Sequence, residues 1–299
     1  MDLETFLKLS PADIAQIVRD AGVKVVVFPV NGTRRWFMLE HPDPQNNFIS
    51  RYQAYKDITA QKYIEIFKLV FDQGLDTLLT PEFGSELLTR GATYANLATE
   101  ALAYLATYPP FLDFYETYQV RVRFYGDYRR VLANTPYAYL INLFDELTQR
   151  TLTHSRYRLF YGICANDATE QVAELAVQHY QKFHSLPDRR AIVTLYYGEY
   201  VDPVSFFIGF DKFSAFDMPL LALGEEDLYF TVAPSLYLTE RQLREIIYDH
   251  LYTRRVAETE NWSGLASFYT ANRGQTLGIG KQRDGFWYPL PQVTLPTGF

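Results

Sequence analysis

With 299 residues, 48% of them hydrophobic, the chain can bury a large core without disulfides. Its net charge of −7 excludes a global basic field that would draw nucleic acid or an anionic membrane surface, while leaving room for a local phosphate site. The single cysteine, Cys164, excludes an intrachain disulfide and suits a reducing compartment.

Residues 1–22 are amphipathic and acidic, without the basic start and apolar run of a signal peptide. No stretch is apolar for long enough to span a membrane, so a cytoplasmic protein is expected. Residues 23–29 (VKVVVFP) read as a buried strand closed by the Asn31-Gly32 turn signal. Residues 53–73 carry apolar positions at helical spacing, and 76–80 form a second strand cut off by Pro81. A long helix is expected from 85 to just before Pro109-Pro110. Residues 119–125 alternate as a third strand ending at Gly126; 136–150 read as helix, 158–164 as strand and 167–183 as helix. Two more apolar strands are expected over 204–210 and 228–232, then an amphipathic helix over 239–255. Strands separated by helices predict an α/β fold, a mainly parallel central sheet flanked by helices. No linker or repeat divides residues 1–299, so one domain is expected, with a core over about 10–255 and a C-terminal extension over 256–299. The proline-rich end, 287–299, is expected to be extended.

In open α/β sheets ligands bind beyond the carboxyl ends of the strands. The first strand leads into Asn31-Gly32-Thr33-Arg34-Arg35, the second into Pro81-Glu82-Phe83, the fourth into Asn166-Asp167 and the fifth into Asp211-Lys212-Phe213-Ser214. A glycine turn with exposed amides and two arginines can hold a diphosphate, to which Lys212 adds a charge. The same spacing also fits a surface turn with solvated arginines. The 24 tyrosines and 22 phenylalanines fit either a packed core or a ring-lined pocket able to steady a carbocation. DDxxD and DxDD motifs, a P-loop, zinc-like histidine spacing and a Gly-x-Ser-x-Gly elbow are all absent. Cys164 ends an apolar run and reads as a buried structural thiol, and His250 as a structural histidine.

Three blocks in order, VVVFPVNGTRRWF (25–37), RVRFYGD (121–127) and the segment 206–231 ending in LYFT, resemble the cis-prenyltransferase-like (undecaprenyl diphosphate synthase-like) family. The resemblance covers roughly residues 10–255 and is closer still to a branch that ionises a diterpenyl diphosphate. It implies a single α/β domain with a hydrophobic tunnel, a homodimer, Mg²⁺ and a prenyl diphosphate substrate. It places Gly32, Thr33, Arg34 and Arg35 in the diphosphate loop, Lys212 and Ser214 beside it, and Tyr52 where that branch has a tyrosine that steadies a cation or passes a proton. Asp227 falls where ordinary members carry a metal-binding glutamate. Two departures stand out: Asn31 replaces the aspartate that opens the loop, and a neutral amide is a weak Mg²⁺ ligand. The later loop is also shortened to GFDKF and loses an arginine for a second diphosphate. The expected function is therefore a terpene synthase that quenches its carbocation with water, proton loss or a small acceptor. The alternatives are prenyl transfer to isopentenyl diphosphate or a nucleophile, and a non-catalytic subunit.

Overall fold

Three consecutive valines, each stiffened by branching at Cβ, favour extended backbone and form β1 (Val25–Val27), the central strand of the computed structural model. The structure describes residues 1–43, 47–254, 263–283 and 286–289. β1 lies between β2 (Thr77–Phe83) and β5 (Phe206–Phe210). With β3 (Val120–Tyr125), β4 (Tyr157–Ile163) and β6 (Asp227–Thr231), the order across the sheet is β3-β4-β2-β1-β5-β6, every pair parallel.

Side chains alternate across the sheet. Val26 joins the larger core cluster, where helices Tyr52–Asp72, Ala92–Thr107, Pro109–Tyr118 and Tyr139–Arg150 pack through Phe67, Leu102, Phe111 and Phe144. Val25 and Val27 face the smaller cluster, closed by helix Arg189–Tyr197 through Val193, Tyr196 and Tyr197. The single parallel α/β domain expected from the sequence is therefore present. No helix among the described residues is long and apolar enough to cross a membrane.

Several boundaries differ from expectation for identifiable reasons. β2 does not stop at Thr80 but runs through Pro81 to Phe83. Leu79 O accepts from Phe28 N, so the polar groups of Leu79, and by the two-residue repeat those of Pro81, face β1. β1 has ended by that level, so a residue without an N–H costs no ladder bond. The helix expected from 85 is interrupted: a 3₁₀ turn spans Ser85–Thr89, and Gly91, at φ 96°, resets the chain before Ala92–Thr107. Pro109 then opens a further helix instead of a loop, being well suited to a first helical position. The helix expected over 239–255 is α-helical only over Glu240–Tyr248, then widens to a π turn over Asp249–Thr253. Gly280–Arg283 pairs antiparallel with Phe286–Pro289, and the remainder of the C-terminal end lies outside the described residues.

Candidate active site

The loop after β1 is not a plain turn. Gly32 sits at φ 75° and caps helix Thr33–Glu40, a left-handed conformation that favours glycine. A Cβ there would come within 2.8 Å of the Phe210 ring and 3.1 Å of Pro234. The first helical bond runs from Trp36 N to Gly32 O at 2.9 Å, so the amides of Thr33 and Arg34 lie ahead of the ladder without intrahelical acceptors. Those amides and the positive end of the helix dipole favour an anion.

Ser235, 204 residues beyond Asn31, pins this loop. Asn31 N donates to Ser235 Oγ at 3.0 Å, Ser235 N donates to Asn31 O at 3.0 Å, and the Ser235 hydroxyl donates to Pro29 O at 3.2 Å. Sequence reasoning passed over Ser235, since nothing local marks a serine as a loop clamp.

The two arginines differ. Arg35 donates to Asp211 Oδ2 from Nη1 and Nη2 at 3.2 and 3.3 Å, and its guanidinium stacks 4.8 Å from the Phe210 ring centre. Arg34 is exposed, stacks 4.4 Å from the Phe48 ring centre and makes no ion pair among the described residues. Lys212 and Ser214 follow β5 and line the same cavity as Asn31, Gly32, Thr33, Arg34, Arg35 and Tyr52.

That cavity measures about 900 Å³, near the top of the ~300–1,000 Å³ range of small-molecule sites. Two helices line it with matching faces. Tyr52, Tyr55, Lys56, Thr59, Ala60 and Tyr63 repeat at i, i+3, i+4, i+7, i+8 and i+11; Tyr94, Leu97, Ala98, Ala101, Leu102 and Leu105 do the same on the opposing helix. The result is a cationic head opening onto an aromatic and aliphatic barrel. Within it, Thr59 Oγ1 is buried without a hydrogen-bond partner. The Lys56 ammonium lies 5.2 and 4.7 Å from the Tyr52 and Tyr104 ring centres and pairs with Glu100 at 3.2 Å.

Tyr52 lines the barrel, but its hydroxyl is engaged by the Leu97 carbonyl, and burial pushes its phenol well above the ordinary range. What Tyr52 offers the cavity is therefore its ring. The phenol against the Gly32–Arg35 loop is Tyr55, one turn on, whose hydroxyl is 2.7 Å from Thr33 Oγ1. Burial raises its pKa as well. Glu82, on the wall, accepts from Thr80 Oγ1 at 2.8 Å and Tyr63 Oη at 3.1 Å, and burial pushes its carboxyl up to about 8. Asp217, at the rim, is raised to about 6 by burial and then by the Glu86 charge.

Asp227 is not brought to the cavity. It opens β6, paired with Phe206 at the amino ends of the strands, whereas the head lies at the carboxyl ends. Its Oδ2 is 2.6 Å from His250 Nδ1, and Oδ1 accepts from Arg254 at 3.2 Å. Asp227→Asn should therefore lower stability by about 1–2 kcal/mol, read as a lower Tm, while diphosphate turnover and its response to Mg²⁺ stay within twofold. A selective loss of Mg²⁺ response would restore a metal role.

The donors around Asn31 do not fit a magnesium cage. Asn31 is neutral and Asp211 is committed to Arg35. No group of three or more histidine, cysteine, aspartate or glutamate side chains that could hold a metal occurs among the described residues.

Against known proteins, no family model matches the chain. It is 41% identical over 292 residues to tuberculosinyl adenosine transferase of Mycobacterium tuberculosis, covering 95% of this chain and 96% of that protein. It is 25% identical over 279 residues to (+)-kolavelool synthase of Herpetosiphon aurantiacus, covering 91% of each. Among solved structures, lavandulyl diphosphate synthase from Lavandula x intermedia, in complex with dimethylallyl diphosphate, superposes with a TM-score of 0.60 at 11% identity. The match covers 80% of this chain and 98% of that one. A probable undecaprenyl diphosphate synthase from Campylobacter jejuni gives 0.57 at 13% identity, covering 79% and 97%. At such identities the two structures speak for the fold alone.

Proposed function

The chain belongs to the family of tuberculosinyl adenosine transferase, and from that premise we propose that it is a terpene synthase that ionises a prenyl diphosphate of diterpene size. One observation carries this most: a cavity of about 900 Å³ with Arg34, Arg35 and Lys212 at one end and an aromatic barrel at the other. The arginines and the amides at the start of helix Thr33–Glu40 receive the diphosphate. Charge grows on the leaving group as its bond to carbon breaks, and preorganised donors stabilise that change more than the bound ground state. The cationic carbon is then left among ring faces, including those of Tyr52 and Tyr55. Burial keeps both phenols neutral, so they act through their quadrupoles and do not form phenolates.

No step in this scheme runs through a metal. Transfer to isopentenyl diphosphate is disfavoured because GFDKF supplies only Lys212 where the longer family loop has further cations. A homodimer, implied by the resemblance, is part of the same proposal; the exposed apolar row Val177, Tyr180, Phe183 and Leu186 suits a covered face.

The test is incubation with geranyl, farnesyl, geranylgeranyl and a bicyclic diterpenyl diphosphate, each with and without Mg²⁺. Pyrophosphate and product mass are measured together. The expected result is pyrophosphate with a terpene alcohol or hydrocarbon of unchanged carbon number, from a diterpenyl substrate, without need of added metal. A product longer by one isoprene unit would replace the synthase by a chain-elongating transferase. A prenylated small acceptor would identify the quenching nucleophile.

A further inference from the structure

Glu82 is the extra residue of a bulge in β2. Pro81 pairs with Gly162 and Phe83 with Ile163, which are adjacent in β4, so Glu82 has no opposite number. Bulges re-aim side chains, and this one places a buried carboxyl on the wall of the cavity, near the rings of Tyr55 and Tyr63. Among the described residues no cation forms an ion pair with it. Tyr63 touches it, and the other titratable groups within electrostatic reach are also phenols: Tyr55 from helix Tyr52–Asp72, Tyr115 from helix Pro109–Tyr118, Tyr125 from β3 and Tyr161 from β4. Burial holds each of these phenols neutral, and no charged side chain shifts Glu82 itself. Its two oxygens each accept from a hydroxyl, Thr80 on Oε1 and Tyr63 on Oε2, which fixes the carboxyl in place while each oxygen keeps a further lone pair.

Resting on the reading of the chain as a diphosphate-ionising enzyme, we infer that Glu82 is the proton acceptor that ends the reaction. The carbon–oxygen bond to diphosphate breaks with both electrons leaving on the diphosphate. A water oxygen then gives a lone pair to the cationic carbon, its O–H bond breaks, and the proton passes to a Glu82 oxygen. In the proton-loss route the same oxygen takes a proton from the carbon beside the cation, and the C–H electron pair becomes the double bond. The carboxylic acid later returns its proton to bulk solvent. A base works only when ionised, and burial raises this carboxyl to about 8. Net turnover therefore rises with pH as it passes through about 8.

The experiment uses geranylgeranyl diphosphate with ¹⁸O in the bridging position. A cation that is not quenched returns to the diphosphate and scrambles the label into non-bridging positions. In Glu82→Gln, label scrambling is expected to continue at the wild-type rate while net pyrophosphate release falls about 100-fold and the rise toward alkaline pH disappears. Glu82→Asp, which keeps a carboxylate, should recover part of that rise. Release at the wild-type rate with an unchanged pH profile would overturn the inference. So would loss of scrambling together with release, which would move Glu82 to the ionisation step or to the fold. A wild-type protein that neither scrambles the label nor releases pyrophosphate, with this substrate or with a bicyclic diterpenyl diphosphate labelled alike, overturns the functional reading itself, so the two failures are told apart.

Discussion

Replacing Arg34 with alanine is expected to cut pyrophosphate release by about 100- to 1,000-fold, the usual cost of losing one preorganised donor to a developing oxyanion. Circular dichroism and Tm should stay at wild-type values. The separation of these effects follows from where Arg34 sits. Its guanidinium is exposed, rests on the Phe48 ring and has no ion pair among the described residues. The fold therefore loses only an exposed cation–π contact, about 0.5–1 kcal/mol. Arg35 would be a poorer test, because removing it also strips a partner from Asp211 and a layer from Phe210. The measurement is initial pyrophosphate release at saturating diterpenyl diphosphate, with the melting curve on the same preparation. Unchanged turnover in Arg34→Ala would sink the assignment of this loop to the leaving group.

Gly32→Ala is the second large effect. The substitution asks a non-glycine residue to hold φ 75°, at about 1–2 kcal/mol. It also pushes a methyl to 2.8 Å from the Phe210 ring, closer than carbon atoms approach without displacement. Either the ring or the loop must move, and Phe210 is also the surface on which Arg35 stacks. A misplacement on the order of 1 Å at the reacting centre costs about 100-fold. The expected outcome is a Tm several degrees lower and a comparable fall in kcat, with geranylgeranyl diphosphate binding weakened less than turnover. A variant with wild-type kcat would mean that the loop tolerates displacement and that its geometry does not set the rate.

The sheet and the cationic end of the cavity were legible because both follow from local rules. Apolar runs bounded by Gly, Pro and Asn marked the strands, and the carboxyl-end rule pointed to Gly32, Arg34, Arg35 and Lys212, which all line one cavity. The facing stripes on the two cavity helices were equally present in the sequence as a shared i, i+3, i+4 pattern, but a stripe does not reveal that it faces a void instead of a core. Hydroxyl direction was beyond reach: Tyr52 and Tyr55 lie one turn apart, and only packing sends one to Leu97 and the other to Thr33. The bulge that exposes Glu82 depends on the register between β2 and β4, which are more than seventy residues apart. Asp227 shows the limit of carrying a residue over by resemblance. It begins its strand and Thr231 ends it, so about 13 Å of extended chain separates Asp227 from the end where ligands bind.

The clamp made by Ser235 has a consequence in time. It lies 204 residues beyond Asn31, so the arginines emerge from the ribosome long before the part that fixes their loop. A nascent chain of two hundred residues already carries Arg34 and Arg35 but lacks β5, β6 and the clamp. Contacts of such long range close late in folding. Competence to cleave a diphosphate is thus postponed until Ser235 has been made, and fragments ending before it are expected to be inert whatever part of the sheet they form.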